Sequence, residues 1–328
     1  MDKRIFAGIA GALGFGAAAM EACNRLIDRK ALGKNVLSDD EGSYFPGKYG
    51  AMYYRVSGSG SPVLLIHNAD AAASGADWDQ LVSKLSGKHT VYVPDLPGCG
   101  RSDKPSAAYT NFVFVDALKE FVQECVPQKG LTAVASGIGC SILLMAAVYD
   151  TSLFSRLVFI NPPTATECLY DNSRKAKILK TLFRVPVIGR FLYHLRYSWS
   201  NIDREYTRKL FYDPDQVTDE LVDAGYEASH RKESRGRFLL AGKYASYLNL
   251  NCSFAVGRLQ IPALLLEGEH CYASEDDGCN WAELNPSIRK VVIPATKKLP
   301  HIEDPERTEQ EIEQYLTENP IVEDYFAE

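Results

Sequence analysis

The chain has 328 residues, 46% of them hydrophobic and 24% charged, enough to bury a large core in one α/β domain or two smaller ones. A net charge of −6 with no basic stripe excludes a nucleic-acid partner. The eight cysteines form no CxxC pair, so the thiols read as reduced and mostly buried, with no metal and no cofactor expected.

The N-terminus comes first. After Lys3 and Arg4 runs "IFAGIAGALGFGAAAM", uncharged from Ile5 to Met20 and closed by Glu21. This is shorter than the ~20 residues of a comfortable membrane span. Gly8, Ala12 and Gly16 recur at a spacing that suits close helix packing in a bilayer. Ala17-Ala18-Ala19 offers a signal-cleavage site, and a packed terminal helix is the third reading. An uncleaved transmembrane anchor is preferred, so membrane association through residues 5–20 is expected, with the soluble domain on the cytoplasmic side.

From Tyr49 short apolar runs alternate with amphipathic stretches. "AMYYRVSG" predicts a strand, "PVLLIHNAD" a buried strand, and "DWDQLVSKLSG" a helix with Trp78, Leu81, Val82 and Leu85 on one face. "HTVYVPDLPG" predicts a strand, "NFVFVDALKEFVQEC" a helix, "LTAVAS" a strand, "CSILLMAAVYD" a helix and "SRLVFINPP" a strand. After a long interval come the strand "IPALLLEGEH", a helix near "DDGCNWAEL", the strand "RKVVIPA" and a last helix from about Pro305. Such alternation implies a mostly parallel sheet with helices on both faces. The interval 164–260 is rich in helix formers and aromatics, and predicts a helical lid over the carboxyl ends of the strands, where ligands bind in open α/β sheets. The expected division is therefore an N-terminal hydrophobic segment at 1–30, a core from 49–163 and 261–320, and the lid between them.

Four stretches carry a family resemblance. "DLPGCGRSDKP" (Asp95 to Pro105) resembles the D-x-x-G-x-G-x-S-x-x-P loop of the α/β-hydrolase superfamily. "PVLLIHNAD" is similar to its oxyanion strand, with Asn68 in place of the usual glycine, and "IPALLLEGEH" and "VVIPATKKLPHIEDPE" resemble the segments bearing the acid and the histidine. The resemblance implies an α/β-hydrolase fold from about Tyr49 to the C-terminal helix, with a Ser-His-Asp site. The nucleophile would stand in "VASGIGCSILLMA", at a strand-to-helix turn so tight that small residues are needed two before and two after it. Gly137 has Ala135 and Gly139 there, and both fit. Ser136 would have Val134 and Ile138, and Ser141 would already lie in the helix with Leu143.

The best register thus places a glycine where the serine would be, and a glycine cannot attack. The same resemblance puts the acid on Cys271 and the histidine on Lys298, neither able to do its counterpart's work. A shifted register makes His301 the base, and the other strand end that could supply an acid offers Asn161. By resemblance the oxyanion donors are the N–H groups of Ala69 and Ile138, the latter at a helix N-terminus, with His67, Asn68 and Lys298 beside them.

Among substitutes, Cys140 and Cys99 are thiols near the turn, although Cys140 reads better as core. His67 reads as structural, His270 precedes Cys271, and Asp70, Asp77 and Asp79 read as turn and helix-cap residues. Tyr170, Phe183, Phe191, Tyr193, Tyr197, Trp199, Tyr206, Phe211 and Tyr212 give the lid an aromatic lining or a packing core. The expectation is a catalytically degenerate α/β-hydrolase-fold protein that binds a small apolar or carbonyl/carboxylate ligand under the lid. The alternative is an enzyme with a displaced nucleophile, or one with proton-transfer or lyase chemistry that needs no serine.

Overall fold

The computed structural model describes residues 3–38, 40–127, 129–164, 173–250, 252–272 and 281–320. Tyr170, Cys168, Cys279 and the residues just before Trp281 lie outside them. Eight strands form one sheet: β1 (Ser43–Gly47), β2 (Gly50–Ser57), β3 (Ser61–Ile66), β4 (His89–Pro94), β5 (Thr132–Ser136), β6 (Arg156–Ile160), β7 (Ala263–Gly268) and β8 (Ile288–Ile293). Their order is β1-β2-β4-β3-β5-β6-β7-β8, with β1 and β2 antiparallel and every pairing from β4 to β8 parallel.

The central strands are apolar without interruption because both of their faces are covered. Leu64, Ile66, Ala133, Ala135, Leu157, Phe159 and Leu265 enter one core. Their neighbours Val63, Leu65, Val134, Val158, Ile160, Leu264 and Leu266 enter the other, the period of two that a pleated strand imposes. The first core is completed by α3 (Asn111–Cys125) and α4 (Ile138–Tyr149), together with α10 (Ser253–Arg258) and α11 (Trp281–Leu284). The second is completed by α2 (Asp79–Leu85) and α13 (Pro305–Glu318), with α12 (Pro300–Glu303) at its edge.

Between β6 and β7 the chain inserts α5 (Arg174–Arg184), α6 (Ile188–Arg196), α7 (Trp199–Glu205), a π-helical turn at Tyr206–Leu210, α8 (Asp219–Ser234) and α9 (Arg237–Tyr244) before α10. This insertion has a core of its own, built by Phe183, Tyr193, Tyr197, Ile202, Tyr206, Phe211, Val222 and Leu240.

The N-terminal segment departs from expectation. It opens α1 (Lys3–Ala31), 29 residues that continue past Glu21 through a polar stretch. No helix among the described residues is long and apolar enough to cross a membrane, so the expected transmembrane anchor is corrected. Ten of the sixteen residues from Ile5 to Met20 are Gly or Ala, which carry little apolar surface. The later turns of α1 pack on the insertion instead. Asn24, Asp28 and Ala31 are buried, Asn24 Nδ2 donates to Val187 O at 3.1 Å, and Arg190 pairs with Glu21 at 3.0 Å and with Asp28.

Candidate functional site

β5 stops at Ser136, and the chain turns through Gly137 into α4. Gly137 has φ 55° and ψ −129°, a region strained for any residue with a Cβ. Its N–H donates to Ile160 O at 3.1 Å, and its carbonyl accepts from Cys140 N at 3.0 Å. A Cβ on Gly139 would stand 2.7 Å from His67 O, so α4 is pressed directly against the end of β3. The turn has the tightness that the spacing of Ala135 and Gly139 predicted.

Asn68 turns its side chain into this elbow. Its Oδ1 accepts the Ile138 N–H at 3.1 Å, the amide expected to face a ligand oxygen. A Cβ on residue 137 would lie 2.8 Å from that Oδ1 and 3.0 Å from Asn68 Cγ. Asn68 therefore occupies space that a nucleophilic side chain would need, and holds one donor of the expected oxyanion pair. Ala69, bearing the other donor, is buried. His67, also expected beside a ligand, does not line the cavity over the elbow and is held by the backbone instead. Its Nε2 accepts Leu96 N–H at 2.9 Å, which leaves Nδ1–H to donate to Asn68 O at 2.8 Å. Burial pushes its pKa down, which keeps the ring neutral in this tautomer.

A cavity of about 290 Å³ opens over the elbow at the carboxyl edge of the sheet. Gly137, Ile138, Asn68 and Lys298 all line it, and so do Ser136, Ser141 and Asn161. Asn161, at the end of β6, is a brace. Its Nδ2 donates to the carbonyls of Lys297 and Lys298 at 2.9 and 3.0 Å, while its Oδ1 accepts Gly268 N–H at 3.0 Å. Its φ of 45° is left-handed, which asparagine tolerates better than most residues. The brace fixes the loop that carries Lys298, whose Nζ stands 5.0 Å from the centre of the Tyr272 ring.

Asn68, Leu210, Lys243 and Leu299 also line a second chamber of about 180 Å³, so the two spaces adjoin. Asp70, Asp77, Arg196, Tyr197, Glu205 and Tyr206 bring charged and hydroxyl groups to its walls. Asp70 accepts from Lys243 Nζ at 2.6 Å, from Tyr197 OH at 3.1 Å and from Ala72 N–H at 3.1 Å. Burial alone would raise its pKa, but Lys243 overrides this and holds the carboxyl at about 2. Burial has no such opponent at Asp77, whose pKa is pushed up to about 8, with Asp95 adding to the rise. Asp77 is not the helix cap itself: Ser74 is the N-cap, and Asp77 completes its capping box. Asp79 starts α2 and pairs with Arg55.

Other residues singled out from the sequence stand elsewhere. Cys271 is buried and does not line the cavity. His301 is corrected as a substitute base: it is buried on the opposite side of the sheet with its ring 4.3 Å from that of Trp78, and burial takes its pKa down to about 3. Cys140 is also corrected as a substitute nucleophile. It is buried in the core with Sγ donating to Ala135 O at 3.1 Å, a thiol with no path to the cavity. Cys99 is buried too, and burial pushes its thiol pKa far up. His270 lies at the surface, stacked on Tyr212 at 4.2 Å. Of the aromatic residues expected over the site, Tyr197 and Tyr206 line the second chamber, while Phe183, Tyr193 and Phe211 serve the insertion's own core. Sequence reasoning missed Lys243, Arg196 and Glu205, and it missed the bracing role of Asn161.

Comparison with known proteins agrees with this fold. The sequence profile of the alpha/beta hydrolase fold matches residues 62–305. An uncharacterised protein of Mycobacterium tuberculosis is 28% identical over 140 residues, 41% of this chain and 40% of its own length. A pimeloyl-[acyl-carrier protein] methyl ester esterase of Vibrio cholerae is 30% identical over 112 residues, 34% of this chain and 40% of its own. The chain thus spans about two fifths of the length of these relatives. A meta-cleavage product hydrolase from Pseudomonas fluorescens superposes with a TM-score of 0.68 at 19% identity, covering 86% of this chain and 99% of that one. With the profile matched across most of its length and an eight-stranded sheet of the expected topology, the chain belongs to the α/β hydrolase fold family.

Proposed function

We propose that this protein is a non-hydrolytic member of its family that binds a small carbonyl or carboxylate compound in the cavity above Gly137, beneath the helical insertion acting as a lid. The observation that carries this reading is the Asn68 side chain. It caps the Ile138 amide and fills the space beside a nucleophile position that has no side chain. Without an attacking atom and with that donor engaged, serine-type acyl transfer has neither its nucleophile nor its full oxyanion site.

The cavity walls mix apolar side chains, Ile138, Leu210, Leu248 and Leu299 among them, with a few polar groups that could orient a guest. Ser136, Ser141, Asn249 and Lys298 bring hydroxyl, amide and ammonium groups to the lining, and a volume near 290 Å³ suits only a small molecule. Lys298 supplies the charge that would select an anion. Intact-mass analysis after fluorophosphonate treatment should show no adduct, and a stoichiometric adduct would overturn the reading. Calorimetric titration with acetate, pyruvate and succinate should find at least one ligand, and Lys298→Gln should weaken it by about 10- to 100-fold, the worth of a charge-assisted hydrogen bond.

A second reading is favoured by one observation, the two carboxyl groups of the adjoining chamber. Asp70 is held ionised and Asp77 protonated near neutral pH, the split that acid–base catalysis uses. Proton transfer to a bound carbonyl compound would then be the reaction. Deuterium exchange at the carbon next to the carbonyl of bound pyruvate, lost in Asp77→Asn, would establish it; no exchange leaves the binding reading.

The uncharged run at 5–20 supports attachment to a membrane surface without crossing it. Residues 16–19 are exposed, and nothing lies within 4 Å of a Cβ built on Gly16. The full chain should sediment with phosphatidylglycerol-containing vesicles, and a variant lacking residues 1–20 should stay in the supernatant; equal sedimentation would refute attachment here.

A further inference from the structure

Where α1 crosses the insertion, three side chains from distant parts of the sequence meet. We propose that Asp28, His194 and His230 form a binding site for one divalent transition-metal ion of the zinc class. One ligand atom from each residue lies within 4.8 Å of the others, and all three residues are buried. They come from three helices, α1, α6 and α8.

The hydrogen bonding around the cluster orients it. His230 Nδ1 lies 2.8 Å from Tyr226 O and 3.0 Å from Ser229 Oγ. The Ser229 hydroxyl itself donates to Tyr226 O at 2.8 Å, so the ring gives its N–H to the carbonyl. That fixes the tautomer whose Nε2 carries a lone pair, and this Nε2 makes no hydrogen bond to any described group. A backbone carbonyl holding the far nitrogen is the usual support for a metal-binding imidazole. His194, also more than nine-tenths buried, bonds no described group through either ring nitrogen, and its Nε2 stands 3.6 Å from Asp28 Oδ1. The two imidazole centroids are 4.9 Å apart. Asp28 is oriented in turn, its Oδ1 accepting the Ser234 hydroxyl at 2.6 Å and its Oδ2 paired with Arg190.

Donor chemistry selects the ion. Two imidazoles and one carboxylate suit zinc and its neighbours, whereas calcium and magnesium want oxygen alone. Metal binding requires neutral imidazoles, and both rings are buried away from solvent. Arg190 and Arg237 also face the pair and oppose a cation, but Arg190 is already paired with Glu21 as well as Asp28. Ligand atoms around zinc stand about 3.3 Å apart, the edge of a tetrahedron with 2.0–2.1 Å arms. From separations of at most 4.8 Å, the ligand atoms would have to approach one another by up to about 1.5 Å on binding. The ion would tie α1 to two helices of the insertion.

The full chain, stripped with a chelator and dialysed, is titrated with zinc by calorimetry against a competing chelator. One ion per chain is expected, together with a rise in the thermal midpoint. His194→Gln and His230→Gln should each weaken binding by about 100-fold or more, beyond the 10–100-fold typical of changes one shell further out. His270→Gln, at the surface, should change nothing. Binding that is absent, that is unchanged in both variants, or that depends on His270 overturns the site. Should either variant misfold, cobalt added to the unaltered protein decides: four-coordinate d–d absorption supports the site, and a spectrum like aqueous cobalt refutes it.

Discussion

Asn68 Oδ1 accepts the Ile138 N–H and lies 2.8 Å from where a side chain on residue 137 would begin. Placing a serine there should therefore meet two obstacles. Gly137→Ser places a Cβ at a φ of 55°, which costs about 1–3 kcal/mol, and it collides with the Asn68 amide. The variant should unfold at lower urea concentration than the parent and still take up no fluorophosphonate; labelling at residue 137 would show that Asn68 yields easily. Part of this was legible in the sequence, because the need for small neighbours located the turn at Gly137. The role of Asn68 was not. A replaced glycine in a motif says nothing of where the new amide points, and that depends on how closely α4 approaches β3.

At the scale of elements, the brace after β6 joins three chain segments that periodicity treats as independent. Asn161 both donates, to the carbonyls of Lys297 and Lys298, and accepts, from Gly268 N–H. In Asn161→Asp the carboxylate keeps the accepting bond but faces two carbonyls it cannot satisfy. Each unmet partner costs about 1–3 kcal/mol, so chemical denaturation should show a loss of at least about 2 kcal/mol. Any carboxylate affinity due to Lys298 should fall with it, and unchanged stability would deny the brace its role. The helices and strands were themselves readable: "NFVFVDALKEFVQEC" is α3 residue for residue, and the buried runs are β3, β5, β6 and β7. β1 was not, since "SYFPG" carries a proline and a glycine and is an edge strand held only by β2. The meeting of Asp28 with His194 and His230 was equally hidden. No local pattern links residues so far apart in sequence, and the absence of clustered ligands wrongly implied the absence of a cluster.

For the molecule as a whole, buried titratable groups set opposite slopes of stability with pH. His301 takes up a proton readily when unfolded, near pH 6.5, but only near pH 3 when folded. The unfolded chain binds more protons between those values, so stability falls as pH drops below 6.5. His67, also lowered by burial, adds to the loss. Asp77 acts the other way: its folded pKa near 8 lies above the 3.8 of an unperturbed aspartate, so stability drains away as pH rises through that window. The two windows overlap below pH 6.5, where His301 and His67 together outweigh Asp77, and only the loss from Asp77 continues above it, so the stability maximum should lie near pH 6.5. His301→Gln should flatten the acid limb and Asp77→Asn the alkaline limb. Each change should amount to a few kcal/mol, because a tenfold change in proton affinity is worth about 1.4 kcal/mol. Urea unfolding at pH 4, 6 and 8 separates the two, and parallel curves for parent and variants would contradict both assignments.

The contact between Asn68 and Gly137 also makes the order of mutations matter. A serine arriving first at 137 meets a crowded, strained turn, while a smaller residue arriving first at 68 opens the space and frees the Ile138 amide. A serine at 137 should therefore be accepted more readily after a smaller residue has replaced Asn68 than before.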